Sequence, residues 1–173
     1  MKKIVLLFLS VIIFSCNSDD DLPELPETEF NLFTYGESMT DQEIFRAFNS
    51  DSDEFVPDIF RTNVLITDDN FEAVDDVLEG VGFAIELSLY GNFNEPLQPG
   101  NYTINNTQEI ASASVLYSLN YDASQSLNTV ISIESGIVAV RNFDTGYFIQ
   151  IEAIDVNGNT FRGNFIGNSA SIL

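Results

Sequence analysis

Residues 81–90 read VGFAIELSLY, a stretch in which large apolar side chains occupy every second position. Val81, Phe83, Ile85, Leu87 and Leu89 would share one face, with smaller or polar residues on the other. A period of two is the signature of a β-strand that is buried on one side. Because each such side chain contributes about 1.5–3 kcal/mol when fully buried, this strand is predicted to lie in a core.

The same alternation occurs in two later segments. Val115, Tyr117, Leu119 and Tyr121 form one set, and in residues 147–152 apolar side chains alternate with polar ones. Each set is predicted to form a strand with its members on a single face.

Turn residues separate these segments. Asn157-Gly158 is a strong hairpin signal because both residues accept positive φ. Residues 142–146 read as another hairpin loop, and residues 96–100 interrupt the chain before a further strand. Short strands divided by turns predict an all-β fold, an antiparallel β-sandwich or barrel-like domain.

Two segments are predicted to be short helices packed on one side of the sheet. Thr40 and Glu43 match a capping box that would start a helix containing Phe48. Phe71, Val74 and Leu78 have helical spacing within an acidic segment.

The composition limits the choice of partners. The 173 residues contain 27 acidic and six basic residues, and 45% of them are hydrophobic, which suits one folded domain. Lys2 and Lys3 precede Cys16, so the chain from Cys16 onward has four basic residues and a net charge of −23. Such a charge repels nucleic acid and anionic lipid headgroups.

The first residues are typical of an export signal. Lys2 and Lys3 precede an apolar run over residues 4–14, which is too short to span a bilayer, and then come Ser15 and Cys16. This segment resembles the bacterial lipobox, although Phe14 replaces the small residue that is commoner there. The resemblance implies cleavage before Cys16 and attachment of lipid to it, so that the mature protein is held on a membrane through Cys16.

An acidic run, Asp19, Asp20 and Asp21, follows this cysteine. It resembles the surface-export signal of lipoproteins in some Gram-negative groups, which implies an outer-membrane anchor facing the cell exterior. The alternative is a solvated linker. The predicted organisation is a signal peptide over residues 1–15, a disordered acidic tether over 16–29 and a β-rich domain over 30–173.

Residue content excludes several chemistries. There is no histidine, and the single cysteine is assigned to lipid, so Ser-His-Asp and Cys-His sites and His-ligated metal sites cannot form. No lysine follows Lys3, which excludes Schiff-base and P-loop chemistry in the mature chain. A hydrolase using two carboxylates stays open, and the protein is expected not to be an enzyme.

Calcium is the one cofactor that the residue content favours, because oxygen ligands suffice for it. Asp68, Asp69, Asp75 and Asp76 form the main candidate site, and residues 51–54 form a second. Neither matches an EF-hand loop, and a solvated acidic loop is the favoured alternative. Otherwise no cofactor is expected.

The function is expected to be that of a non-enzymatic binding or structural module with a glycan or protein partner. Gly100-Asn101-Tyr102 and later glycine-containing turns look similar to β-rich domains of uncharacterised lipoproteins, a resemblance that concerns fold. The alternative function is a carbohydrate-binding accessory lipoprotein of a nutrient-uptake system. The chain has no tryptophan for a sugar platform, but it has six tyrosines.

Overall fold

All regular structure in the described part of the chain is β-strand, and no helix occurs there. The computed structural model describes residues 31–36, 40–44, 46–50, 52–75, 77–94, 97–105, 107–143 and 146–171. The all-β prediction is therefore confirmed, and the two predicted helices are wrong.

The strands follow one another at short spacing along the chain. They are β1 (Leu32–Tyr35), β2 (Thr40–Glu43), β3 (Arg46–Asn49), β4 (Asp53–Val56), β5 (Ile59–Thr67), β6 (Glu72–Val74), β7 (Val77–Glu79), β8 (Val81–Gly91), β9 (Gly100–Ile104), β10 (Ser112–Asp122), β11 (Ile131–Phe143), β12 (Gly146–Asp155), β13 (Thr160–Gly167) and β14 (Ser169–Ser171).

Twelve strands form one curled sheet in the order β14-β3-β5-β8-β10-β9-β11-β12-β13-β1-β2, with β4 paired to β5. The remaining two, β6 and β7, form a separate hairpin. Most neighbours are antiparallel, but β9 pairs with β10 and β14 pairs with β3 in parallel. The sheet is thus mixed, which corrects the prediction of a purely antiparallel one.

Two segments of the chain change their pairing partner within the sheet. Strand β2 pairs with β1, and β3, which begins two residues after Ile44, pairs with β5. Similarly, β13 pairs with β1 and β12, and after Asn168 the chain pairs with β3 as β14. Strands that switch neighbours in this way form corners. The fully buried Ile44 lies at one corner and donates its N–H to Asn31 O at 2.9 Å.

The main core lies on the inner face of this curl. Phe83, Ile85, Leu87 and Leu89 of β8 are buried there as predicted, whereas Val81 is 56% exposed because it lies at the end of the sheet. The hairpin predicted at Asn157-Gly158 is confirmed between β12 and β13. Of the loop predicted over residues 142–146, Asn142 and Phe143 end β11 and Gly146 begins β12, where it pairs with Phe143.

The prediction that Val115, Tyr117, Leu119 and Tyr121 share one face of β10 is wrong. Val115 and Tyr117 lie in the core, but a register shift between Ser118 and Tyr121 interrupts the alternation. A β-bulge changes the face to which later side chains point. Leu119 is consequently 41% exposed, and Tyr121 packs with a second apolar cluster on the outer face.

The first predicted helix is replaced by two strands. Thr40–Glu43 pairs with β1, so that Thr40 lies opposite Tyr35 and Glu43 opposite Leu32. Ala47 and Phe48 then face opposite sides of the sheet. A capping box stabilises only a helix terminus, and here the backbone of β1 offers the segment continuous pairing instead.

The second predicted helix is the β6–β7 hairpin. Asp75 has φ of +49°, a value that aspartate adopts in tight turns. The β-branched residues Val74 and Val77 pair across this turn. The helical spacing of the apolar residues therefore reflects the two ends of a hairpin, where Phe71 and Leu78 contact the same cluster.

Candidate functional site

An open groove of about 550 Å³ lies between the β6–β7 hairpin and the outer face of β3, β5, β8 and β10. We call it the outer groove. Its apolar walls include Phe48, Leu65 and Leu78, and its polar surface includes Asn63, Glu86, Ser88 and Tyr121.

Strand register places the floor of the outer groove on one face. Phe48 is paired with Leu65, which is itself opposite Glu86, and Asn63 is opposite Ser88. Because side chains alternate along each strand, the neighbouring residues of β8 point into the main core while these point outward. A core strand thus carries a polar row on its second face.

The β6–β7 hairpin is held at its base. Phe71 is fully buried in the second apolar cluster, and its ring lies 6.1 Å from that of Tyr121. The guanidinium of Arg46 donates to Phe71 O, and Ala123 N–H donates to Gly80 O at 3.0 Å. These contacts fix the hairpin as the outer wall of the groove.

Glu86 and Tyr121 form a polar pair inside the groove. Burial raises the pKa of Tyr121, and the negative charge of Glu86 and a hydrogen bond to its carboxylate raise it further. The Tyr121 hydroxyl therefore stays protonated at neutral pH, beside the Glu86 carboxylate. Both side chains are half-buried, so the pair remains accessible from the groove.

A second polar pair lies one step further along β8. Ser88 Oγ donates to Asn63 Oδ1 at 2.8 Å, and Asn63 N–H donates to Ser50 Oγ at 3.3 Å. Carboxylate, phenol, amide and hydroxyl groups therefore follow one another along the floor. The arrangement can accept and donate hydrogen bonds beside apolar surface, which is the usual composition of a small-molecule site.

A smaller pocket of about 250 Å³ lies near the ends of β8 and β9. Phe93 is 58% exposed there, beside Asn92, Gln98 and Asn101. The Tyr102 hydroxyl donates to Gln98 O at 2.7 Å, and burial raises the pKa of Tyr102 to about 12. The described side chains that line this pocket are amides, aromatic rings and aliphatic groups, and none of them is charged.

The residues predicted for lipidation and export, Cys16, Asp19, Asp20 and Asp21, lie outside the described residues. Those predictions rest on the sequence alone.

Of the four acidic residues predicted to bind calcium, the structure describes Asp68, Asp69 and Asp75. Asp68 caps the end of β5, where its carboxylate accepts from Phe83 N–H at 2.8 Å and Asn70 N–H at 3.1 Å. Asp69 is exposed, Asp75 lies in the hairpin turn, and Asp76 falls outside the described residues. In the part of the chain that the structure describes, no three His, Cys, Asp or Glu residues are grouped to hold a metal ion.

The second calcium candidate, residues 51–54, lies at the start of β4, with Asp51 outside the described residues. Glu54 Oε1 accepts from Asp58 N–H at 3.3 Å across the β4–β5 turn. Calcium binding stays a prediction at both places.

Within the described ranges, no helix is long and apolar enough to cross a bilayer. No protein-family model matches the chain, and no match is found among curated proteins or solved structures.

Proposed function

We propose that the protein is a lipid-anchored lipoprotein, displayed on the cell exterior, whose β-domain binds a small ligand in the outer groove without catalysing a reaction. The lipobox-like segment ending at Cys16 supports the anchor, and the acidic run after it supports surface display. The outer groove carries the binding part of the proposal.

The volume and composition of the groove support ligand binding. About 550 Å³ falls within the range of about 300–1,000 Å³ for small-molecule sites. Its polar groups converge between apolar walls, an arrangement that fixes the orientation of a ligand while removing apolar surface from water.

The charges of the groove favour an uncharged ligand. Glu86 is the one charged residue among the described residues that line it. The chain from Cys16 onward carries a net charge of −23, which opposes the approach of anions. A ligand with hydroxyl or amide groups and apolar faces fits these conditions.

Binding can be tested with a library of small uncharged organic fragments and amide chemical shifts measured by NMR. The sample is the mature chain, residues 16–173, with Cys16→Ser so that no detergent is required. We expect the perturbed amides to cluster around Leu78, Glu86 and Tyr121.

A blocking variant makes the test specific. Ser88→Trp places a large side chain in the groove and should remove the perturbations, whereas Ser135→Trp on an exposed position of β11 should not. Fragment shifts that scatter over the surface, or that persist in a folded Ser88→Trp variant, would contradict a groove that binds ligands.

A further inference from the structure

We infer that the ligand class of the outer groove is a carbohydrate, bound as the uncharged end of an oligosaccharide. The inference rests on the proposed function and names the chemistry of the same site. The observation behind it is the sequence of polar groups along the floor, from Glu86 and Tyr121 to the hydrogen-bonded Asn63–Ser88 pair.

Glu86 supplies a strong acceptor for sugar hydroxyls. A carboxylate offers about four lone-pair positions, and Tyr121, which lines the groove beside Glu86, occupies at most one of them. The remaining positions can accept two hydroxyl groups of a ligand, and hydrogen bonds to charged groups are the stronger ones. A neutral polyhydroxyl compound matches this acceptor without bringing a charge into the groove.

Asn63 and Ser88 supply complementary groups at a suitable distance. Residues 86 and 88 of one strand are separated by about 7 Å, so the two polar groups can contact different hydroxyl groups of one ligand. The Asn63 amide carries N–H donors, and Ser88 Oγ retains acceptor capacity while donating to Asn63. An acceptor at one end and a donor at the other would orient the ring.

The apolar walls suit the C–H faces of a sugar. Tyr121 and Leu78 are both half-buried, line the groove and pack against the second apolar cluster. The buried ring of Phe71 packs against the ring of Tyr121, with centroids 6.1 Å apart. Aromatic and aliphatic surface beside hydrogen-bonding groups can bury a C–H face of such a ligand.

Other ligand classes fit less well. A fatty acid or a nucleotide would bring a negative charge next to Glu86, which the net charge of −23 already disfavours. A cationic peptide would satisfy Glu86 but would leave the Asn63–Ser88 pair without a role. The polar row is therefore best matched by a ligand that carries hydroxyl groups along its length.

The test uses an array of neutral and acidic oligosaccharides with the same mature Cys16→Ser chain, followed by calorimetric titration of the best neutral binder. Glu86→Gln should raise its Kd about ten- to a hundredfold, because a hydrogen bond to a charged acceptor is weakened. Tyr121→Phe, which removes only the hydroxyl, should raise the Kd less. The matched control Glu134→Gln, at an exposed position of β11, should leave the Kd unchanged.

Each outcome is decisive for the carbohydrate assignment. Binding of neutral oligosaccharides that depends on Glu86 supports it. Preference for acidic oligosaccharides, a Kd insensitive to Glu86→Gln, or loss of binding with Phe93→Ala in the smaller pocket overturns it. If no oligosaccharide binds while organic fragments still occupy the outer groove, the carbohydrate class fails and the proposed function stands. If neither binds, both fail.

Discussion

Replacement of Asp155 should show how one buried carboxylate stabilises the β12–β13 hairpin. Asp155 is 1% exposed, and its carboxylate accepts four hydrogen bonds. Asn157 N–H and Asn159 N–H donate to Oδ1, each at 2.8 Å. Asn159 Nδ2 and the Tyr117 hydroxyl donate to Oδ2, at 3.1 and 3.3 Å.

The loss of stability in Asp155→Ala depends on whether each hydrogen-bond donor can find another acceptor. In Asp155→Ala, the turn N–H groups can reach water, which leaves a net loss of about 1–2 kcal/mol. The Tyr117 hydroxyl is on a side chain only 2% exposed, and an unsatisfied buried donor costs about 1–3 kcal/mol. Asp155→Ala should therefore lower the free energy of unfolding by about 2–5 kcal/mol, and Asp155→Asn, which keeps one acceptor, by about 1–2 kcal/mol.

The loss should depend on pH. Burial alone would raise the pKa of Asp155, but the hydrogen bonds from Asn159, Asn157 and Tyr117 outweigh it and hold the pKa below its ordinary value. A lowered pKa means that the stabilisation is present above the unfolded pKa of about 3.9 and is lost as the pH falls through the folded pKa. The difference between wild type and Asp155→Asn should be constant near neutral pH and shrink below about pH 4.

Chemical denaturation of wild type, Asp155→Asn and Glu134→Gln from neutral to acidic pH provides the assay. Comparing variants at each pH cancels the relief of charge repulsion that acid produces throughout this acidic chain. A difference between wild type and Asp155→Asn that stays constant to the lowest pH would refute the argument. So would an Asp155→Ala variant as stable as wild type.

Four further outcomes are expected. Burial raises the pKa of Tyr102 and of Tyr117 to about 12, and the charge of Asp155 contributes to the rise for Tyr117. Both hydroxyls should therefore ionise late in an alkaline absorbance titration. The stability that they contribute should be lost as the pH rises from about 10 through 12. Gly136→Ala should lower the free energy of unfolding by at least about 2 kcal/mol in denaturant titrations, because φ is +146° and a Cβ would overlap the backbone of β12. Cys16→Ser should abolish acyl labelling and move the protein from the membrane to the soluble fraction; identical partitioning without lipid in either protein would contradict the anchor. Glu86→Leu should raise the melting temperature while abolishing ligand binding, and a lowered melting temperature would show that the Glu86 carboxylate stabilises the fold.

Local sequence patterns predicted the parts of the fold that local physics determines. In β8, Phe83, Ile85, Leu87 and Leu89 alternate without interruption, so a single strand pattern decides which face is buried. The Asn157-Gly158 turn forms because Gly158 adopts φ of +83°, which few other residues tolerate. Both features depend on neighbours in sequence alone.

Features that depend on distant strands were not predictable in this way. The helical spacing around Phe71 and Leu78 arises because both ends of a hairpin touch the same sheet, a tertiary contact with no local signal. Likewise, the bulge that turns Tyr121 outward is set by the pairing of β10 with β8. The outer groove was missed for this reason, although Glu86 between two buried residues of a core strand was a visible clue.

Glu86 is difficult to explain by stability alone. A half-buried carboxylate loses part of its hydration, and Glu86 shares the groove with apolar side chains. Its cross-strand neighbour is Leu65, so a leucine at position 86 would extend the apolar cluster that already holds the hairpin. Polar groups that lower stability yet face an open groove are typical of sites whose role is to bind, and this trade-off is the reason for expecting Glu86→Leu to stabilise the fold and remove its ligand.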